Sequence, residues 1–296
     1  MGRGMHHATR ERLDAAIEIL AEIQPATVRA VCYRLFTAGL LASMGKSHTN
    51  RVSDLLARAR ERGEIEWQWI VDETRRPERA DQWDNPRQIW EAAVRGYRLD
   101  YWNDQPRRVE ILSEKGTVRG TIAPVLNELG VTFRVLHGYG SATTVHDIAD
   151  DIADAGRPTH LLYIGDYDPS GMHMSEVDLP GRLDRYGARN VSLNRIALTA
   201  SDTSGLPEFN ADAKAGDPRY RWFREHYGPL CVELDAMDPR ALRERVREAI
   251  TALIDRDAWD HCMAVEKVQR ESMTGFLCAI RSTFDRGNSI SWQDPK

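Results

Sequence analysis

The sequence predicts an α/β protein: an N-terminal helical module, then a parallel sheet with helices on both faces, then a mainly helical C-terminal extension. Three observations carry this. From residue 107 onward, short apolar runs alternate with helical runs at βαβ spacing, the signature of a parallel sheet wound with right-handed crossovers. Before residue 107 the apolar residues fall at helical spacing in three consecutive segments. The composition, 42% hydrophobic and 29% charged over 296 residues, suffices to bury one or two full cores and argues against a disordered, fibrous or low-complexity chain.

Taken in order, RERLDAAIEILAEI over 10–23 places Leu13, Ile17, Leu20 and Ile23 on one helical face, and Pro25 closes it. A second helix runs from Thr27, a natural N-cap, through about Thr37. After Gly39 a third spans about Ser47 to Arg62, with Val52, Leu55 and Leu56 inward, and Gly63 stops it. IEWQWIV then alternates like a half-exposed strand. Three short helices and a strand are the order of a winged helix-turn-helix, here over residues 1–75. In that fold the third helix enters the major groove, which makes Lys46, Ser47, His48, Thr49, Asn50, Arg51 and Arg58 the candidate DNA contacts; the alternative is a winged helix used for protein contacts. Between Pro25 and Arg62 seven basic residues face two acidic ones, in a chain whose net charge is -5. Such a basic segment on an acidic body suits a polyanion partner, although a solvated helical face carries the same signal.

The polar TRRPERADQWDNP predicts a boundary near residues 74–86, and QIWEAAVRGYRLDYW a connecting helix within a linker over 76–105. The sheet domain is expected over 106–200 and the C-terminal extension over 201–296, packed on it. RVEILSE, VTFRVLHG, HLLYIGD and NVSLNRIAL read as four strands; GTVRGTIAPVLNELG, SATTVHDIADDIADAG and PSGMHMSEVDLPGRLDRYG read as the intervening helices. GYGS after the second strand lacks the third glycine of a dinucleotide-binding loop and reads as a turn with Ser141 capping a helix. His137, His146 and His173 share no metal-ligand spacing, although His173 lies near enough to Asp168 to approach a bound phosphate. The four cysteines form no C-x-x-C pair, so neither a zinc knuckle nor a disulfide framework is indicated. No apolar run approaches a membrane span, and the start lacks the apolar core of a signal peptide, so a cytoplasmic, nucleoid-associated protein is expected.

In a parallel sheet the reactive groups gather beyond the carboxyl ends of the strands. Glu114 ends the first strand there, and Asp166 and Asp168 end the third, where an i, i+2 spacing in extended chain aims both carboxylates to one side. Three carboxylates on adjacent strands make a hard oxygen site suited to Mg²⁺, with Mn²⁺ as a substitute. A purely structural reading has Asp168 cap the helix that follows, with Pro169 in its first turn. Downstream, CVELDAMDPRALRERVREAI ends a strand-like run at Glu233 and Asp235 before a helix from about Pro239; the two acids either line the cleft or solvate the sheet end. Lys214, Arg219 and Arg221 lie in a polar stretch that either holds a phosphate backbone or forms a surface loop.

The order LSEKGTVRGTIAPVL, a second βα unit, then YIGDYDPSG resembles a Toprim domain, whose signature is a Glu after the first strand and a D-x-D after the third. The pair Glu114-Lys115 with Asp166-Tyr167-Asp168-Pro169-Ser170-Gly171 is similar to the variant in the topoisomerase VI A subunit and the related meiotic double-strand-break transesterases. The likeness covers most of residues 25–200. It implies a winged helix before the Toprim domain, and a nucleophilic tyrosine within a pattern like T-x-R-x-I/V-Y-Y. Thr27 to Tyr33 matches that pattern except for Cys32 at the penultimate position, which makes Tyr33 the candidate nucleophile and Arg29 its cationic neighbour one turn earlier. Tyr33, Phe36 and Leu40 would also suit the buried stripe of one helix. Lys115 joins the expected DNA contacts, and His173, Lys214, Arg219, Glu233 and Asp235 the expected cleft.

The resemblance implies Mg²⁺-dependent DNA strand cleavage by a type IIB topoisomerase A-like transesterase. It also implies a homodimer in which one chain's tyrosine meets the other's metal site. There is no G-x-x-x-x-G-K motif followed by Ser or Thr, so an ATP-driven reaction would need a separate ATPase subunit. Two alternatives stand beside this: a hydrolytic Toprim nuclease in which metal-bound water attacks, and a catalytically silent DNA-binding protein.

Overall fold

The computed structural model describes residues 7–70, 82–136 and 142–287. Residues 71–81 of the expected boundary region, His137 and the GYGS turn with Ser141 lie outside the described residues. The chain divides into two compact units, Met1–Arg75 with Arg107–Leu253, and Arg76–Pro106 with Ile254–Lys296. The extension expected over 201–296 is thus shared between them, and the N-terminal helices belong to the same unit as the sheet.

The first unit opens with α1 (His7–Ile23), α2 (Val28–Thr37) and α3 (Lys46–Glu61). Leu13, Leu20 and Ile23 of α1, Val31 and Leu35 of α2, and Val52, Leu56 and Ala59 of α3 form one apolar core. Thr27 caps α2 by accepting from the Ala30 N–H at 3.0 Å. Gly63, at φ +73°, takes the left-handed conformation that ends α3. The half-exposed strand expected of IEWQWIV is not formed among the described residues: Trp67–Trp69 is a 3₁₀ turn, and only Ile70 bridges, to Ala26. The alternation misleads because Trp67 has no core to face; it is 61% exposed, Arg60 stacks on it at 4.4 Å, and the same guanidinium donates to the Trp67 carbonyl at 2.7 Å. Phe36 likewise leaves its expected stripe and stands 37% exposed, whereas Tyr33 is 6% exposed.

The sheet comprises β1 (Arg108–Ser113), β2 (Thr132–Val135), β3 (Thr159–Ile164) and β4 (Val191–Ala197), all parallel, in the order β2-β1-β3-β4. Between them run α5 (Thr117–Leu129), α6 (Ala142–Ala155), the short α7 (Pro169–His173), a π turn (Met174–Asp178) and α8 (Leu179–Arg185). The step from β1 to β2 runs opposite in direction to the steps from β2 to β3 and from β3 to β4. Right-handed crossovers therefore put α5 on one face, and α6 and α8 on the other. Packing agrees, with Leu112, Leu161 and Tyr163 in one cluster with Ile148, Ile152, Leu179 and Leu183.

Beyond β4, β5 (Glu208–Asn210) pairs antiparallel with β6 (Leu230–Val232), flanking α9 (Tyr220–Tyr227), and α10 (Pro239–Thr251) follows. Val232 also bridges Tyr167 through two backbone hydrogen bonds of 2.9 Å, which lays the acidic segment after β6 against the end of β3. Arg243 of α10 donates to the carbonyls of Ile23, Gln24, Pro25 and Thr121, tying the α1–α2 turn to α5.

In the second unit, α4 (Pro86–Gly96) is capped by Asn85 and accompanies the long α11 (Arg256–Gly287). Trp259 packs edge-on to Tyr101 at 4.8 Å and Trp102 at 5.8 Å, and Gln105 exchanges two hydrogen bonds with the Asp255 backbone. No helix among the described residues is long and apolar enough to cross a membrane.

Candidate functional site

Asp166 and Asp168 sit in the turn from β3 into α7, where two glycines let the backbone pass. A Cβ on Gly165 would lie 2.7 Å from the Tyr163 ring, and one on Gly171 only 2.3 Å from the Asp166 carbonyl oxygen. The capping reading of Asp168 holds: its Oδ1 accepts the Gly171 N–H at 2.7 Å. Its Oδ2 accepts from Lys214, which lies in the 3₁₀ turn after β5 with its ammonium 5.7 Å above the Phe209 ring. Asp166 Oδ1 accepts the Leu234 N–H at 2.8 Å and the Lys115 ammonium at 2.9 Å. Lys115 reaches on to Asp235 at 3.4 Å, and Asp235 accepts from the Thr27 hydroxyl at 2.7 Å. Arg29 is paired with Glu233 and lies over the Tyr33 ring at 5.8 Å. Asp166, Lys115, Asp235 and Thr27 thus form one bonded run, within a single chain, from the carboxyl end of β3 to the start of the helix that bears Tyr33.

Electrostatics follow from this crowding. Burial, then Asp168 and Asp166, push the Glu114 carboxyl above its usual range, and the lysines only partly oppose them. Glu114 accepts no hydrogen bond among the described residues, so its charge is met only through space. Burial disfavours the Lys115 and Lys214 ammonium groups, yet the adjacent carboxylates outweigh it and both are held charged above the ordinary lysine value. Tyr33 is pushed up to about 12, by burial first and Glu233 second, with Arg29 pulling the other way. Burial, with Asp168 next, pushes the Cys231 thiol up to about 12 as well, which leaves it a packed thiol.

Of the expected residues, the structure brings together Arg29, Tyr33, Glu114, Lys115, Asp166, Asp168, Lys214, Glu233 and Asp235. Lys115, expected among the DNA contacts, is inside the carboxylate cluster. Arg219 pairs with Asp217 at 3.3 Å, Arg221 with Glu225 at 3.1 Å, and the His173 ring lies edge-on to Trp222 at 5.0 Å. His146 pairs with Asp150 on the exposed side of α6. On α3, Lys46, Ser47, Asn50, Arg51 and Arg58 are exposed, while His48 and Thr49 are half-buried. Thr27 and the Leu234 N–H were not foreseen as partners of the acids; Thr27 carried the signal of a cap alone, and a backbone donor carries none.

Among the described residues no three His, Cys, Asp or Glu side chains stand close enough to hold a metal ion as placed. The donor set nevertheless fits a hard divalent cation in kind: Glu114, Asp166 and Asp168 are all-oxygen ligands, the two aspartates raise the proton affinity of Glu114, and a cation there would take the place of the Lys115 and Lys214 ammonium groups. Compared with known proteins, the chain matches no family model and no curated protein.

Proposed function

We propose that the chain is a Mg²⁺- or Mn²⁺-dependent DNA-cleaving enzyme, a winged-helix and Toprim protein similar to the topoisomerase VI A subunit, with Tyr33 as nucleophile. The observation that carries this reading is the bonded run from the Asp166 carboxylate through Lys115 and Asp235 to Thr27 at the start of the Tyr33 helix, with the Arg29–Glu233 pair beside Tyr33. In the reaction the Tyr33 oxygen attacks a backbone phosphorus, and its proton passes to the Glu233 carboxylate beside it. The bond from phosphorus to the departing DNA oxygen breaks, that oxygen takes up a proton from solvent water, and a phosphotyrosyl link remains for reversal. A phenol held near 12 needs such a base, and Arg29 stabilises the charge that develops on its oxygen. A divalent cation held by Glu114, Asp166 and Asp168 would neutralise charge on the phosphoryl oxygens. The exposed basic and polar side chains of α3 support duplex DNA as the substrate, and two copies of the chain would cut its two strands.

The burial of Tyr33 favours a second reading, hydrolysis by water with Tyr33 serving only to pack. Supercoiled DNA incubated with protein and Mg²⁺ or Mn²⁺, stopped with detergent and resolved before and after protease digestion, separates the two. Protein-linked ends that vanish in Tyr33→Phe and Asp166→Ala support transesterification. Free ends that survive Tyr33→Phe but not Asp166→Ala support hydrolysis, and no cleavage with either metal refutes both.

A further inference from the structure

β4 carries one charged residue, Arg195, in the run VSLNRIA, and the reaction sketched above gives it no task. Its guanidinium donates four hydrogen bonds, three of them to backbone carbonyls. Nη1 donates to the Gly165 carbonyl at 3.0 Å and the Leu198 carbonyl at 2.7 Å, Nη2 to the Asp166 carbonyl at 3.3 Å, and Nε to the Ser175 hydroxyl at 3.0 Å. None of these acceptors is a carboxylate. The plane of the group lies over the Tyr163 ring, 5.0 Å from its centre, the same ring that closes over Gly165.

Three of those acceptors flank one short piece of chain. Gly165 and Asp166 begin the turn that presents the two aspartates. Ser175 belongs to the π turn after α7, and its hydroxyl lies 3.3 Å from the Gly171 carbonyl and 3.2 Å from that of Met172. Gly171 is also the residue whose N–H Asp168 caps. One guanidinium therefore holds the chain on both sides of Tyr167, on the strand side directly and on the helix side through Ser175. A planar fork with several fixed donors spans such a set, whereas a single ammonium reaches only part of it.

We propose that Arg195 is a positioning residue for the carboxylate site: its grip on Gly165, Asp166 and, through Ser175, α7 sets the separation at which Asp166 and Asp168 meet a divalent cation. This rests on the reading of Glu114, Asp166 and Asp168 as the metal-holding set. Groups that orient metal ligands without touching the ion are commonly worth roughly 10- to 100-fold in affinity. Arg195 acts one step further back than a usual outer ligand, through the backbone that carries the carboxylates.

The test is direct Mn²⁺ binding to the full chain, read by water-proton relaxation, for wild type, Asp168→Asn, Arg195→Lys, Arg195→Met and Ser175→Ala, each checked for folding by circular dichroism. The expected result is an Mn²⁺ Kd weakened by about tenfold or more in both Arg195 variants and by less in Ser175→Ala. The Mn²⁺ concentration that half-saturates cleavage should shift in parallel, with the KM for DNA unchanged. A residue that only supports the fold would lower Tm and leave the Mn²⁺ Kd of the folded protein where it was; that result for Arg195→Lys and Ser175→Ala overturns the proposal. Wild type that binds Mn²⁺ no better than Asp168→Asn instead refutes the metal-holding set itself, and the role of Arg195 falls with it.

Discussion

Replacing Lys214 by Met isolates what the lysine does for Asp168. The Asp168 side chain is 4% exposed and that of Lys214 33%, so the pair is buried on the acid's side and half-open on the base's. Removing one member of a fully buried pair costs roughly 3–5 kcal/mol because a charge is left uncompensated. Two features of the structure reduce this: the Gly171 N–H still donates to Asp168, and Lys214 is partly solvated. A loss of about 2–3 kcal/mol is therefore expected, a fall in Tm of roughly 5–10 °C for a unit of this size. The deficit depends on conditions. A divalent cation at the carboxylates would supply the missing positive charge, whereas in wild type it competes with the ammonium. Mn²⁺ should accordingly raise the Tm of Lys214→Met more than that of wild type, the variant itself being stabilised by about 2.7 kcal/mol at a hundred times its Kd. Differential scanning calorimetry with and without Mn²⁺ reads both quantities. A Tm for Lys214→Met within about 1 °C of wild type in metal-free buffer would refute the charge argument.

Two further outcomes follow. Because the Glu114 carboxyl is raised in the folded chain, folding favours its protonated form; its contribution is present at pH below its ordinary value near about 4.3 and is lost as pH climbs through the higher folded value. Glu114→Gln should then be more stable than wild type at neutral pH by about 1 kcal/mol, with the gain shrinking toward pH 4, as urea titrations at several pH values will reveal. Gly171→Ala should destabilise by about 2–4 kcal/mol, since its Cβ meets the Asp166 carbonyl at 2.3 Å and backbone must move; a chemical-denaturation midpoint equal to wild type would contradict this.

The parallel strands were legible because each is a short apolar run ended by a polar turn, and α2 because Thr27 begins it and Gly39 follows it. The turn bearing Asp166 and Asp168 was legible for the same reason. The surroundings were harder. The alternation of residues 65–70 looks like a strand only if Trp67 has a sheet to join, and Arg60 holds it in solvent instead. Glu233 and Asp235 reach the site through a bridge between Tyr167 and Val232, a pairing 65 residues apart that no local pattern encodes. Arg195 had a faint signal, a lone charge in a strand, but its acceptors are carbonyls, and carbonyls are the same in every sequence.

The four carbonyls gathered by Arg243 have a geometric consequence for the proposed reaction. They fasten the turn between α1 and α2 to α5 of the sheet unit, so the exposed face of α3 cannot swing freely about the aspartates. A duplex gripped by α3 would then be delivered to the carboxylates at a constant offset, as a workpiece is by a fixed jig. The distance from contacted bases to broken bond would be a property of the protein, shared by every sequence it cuts.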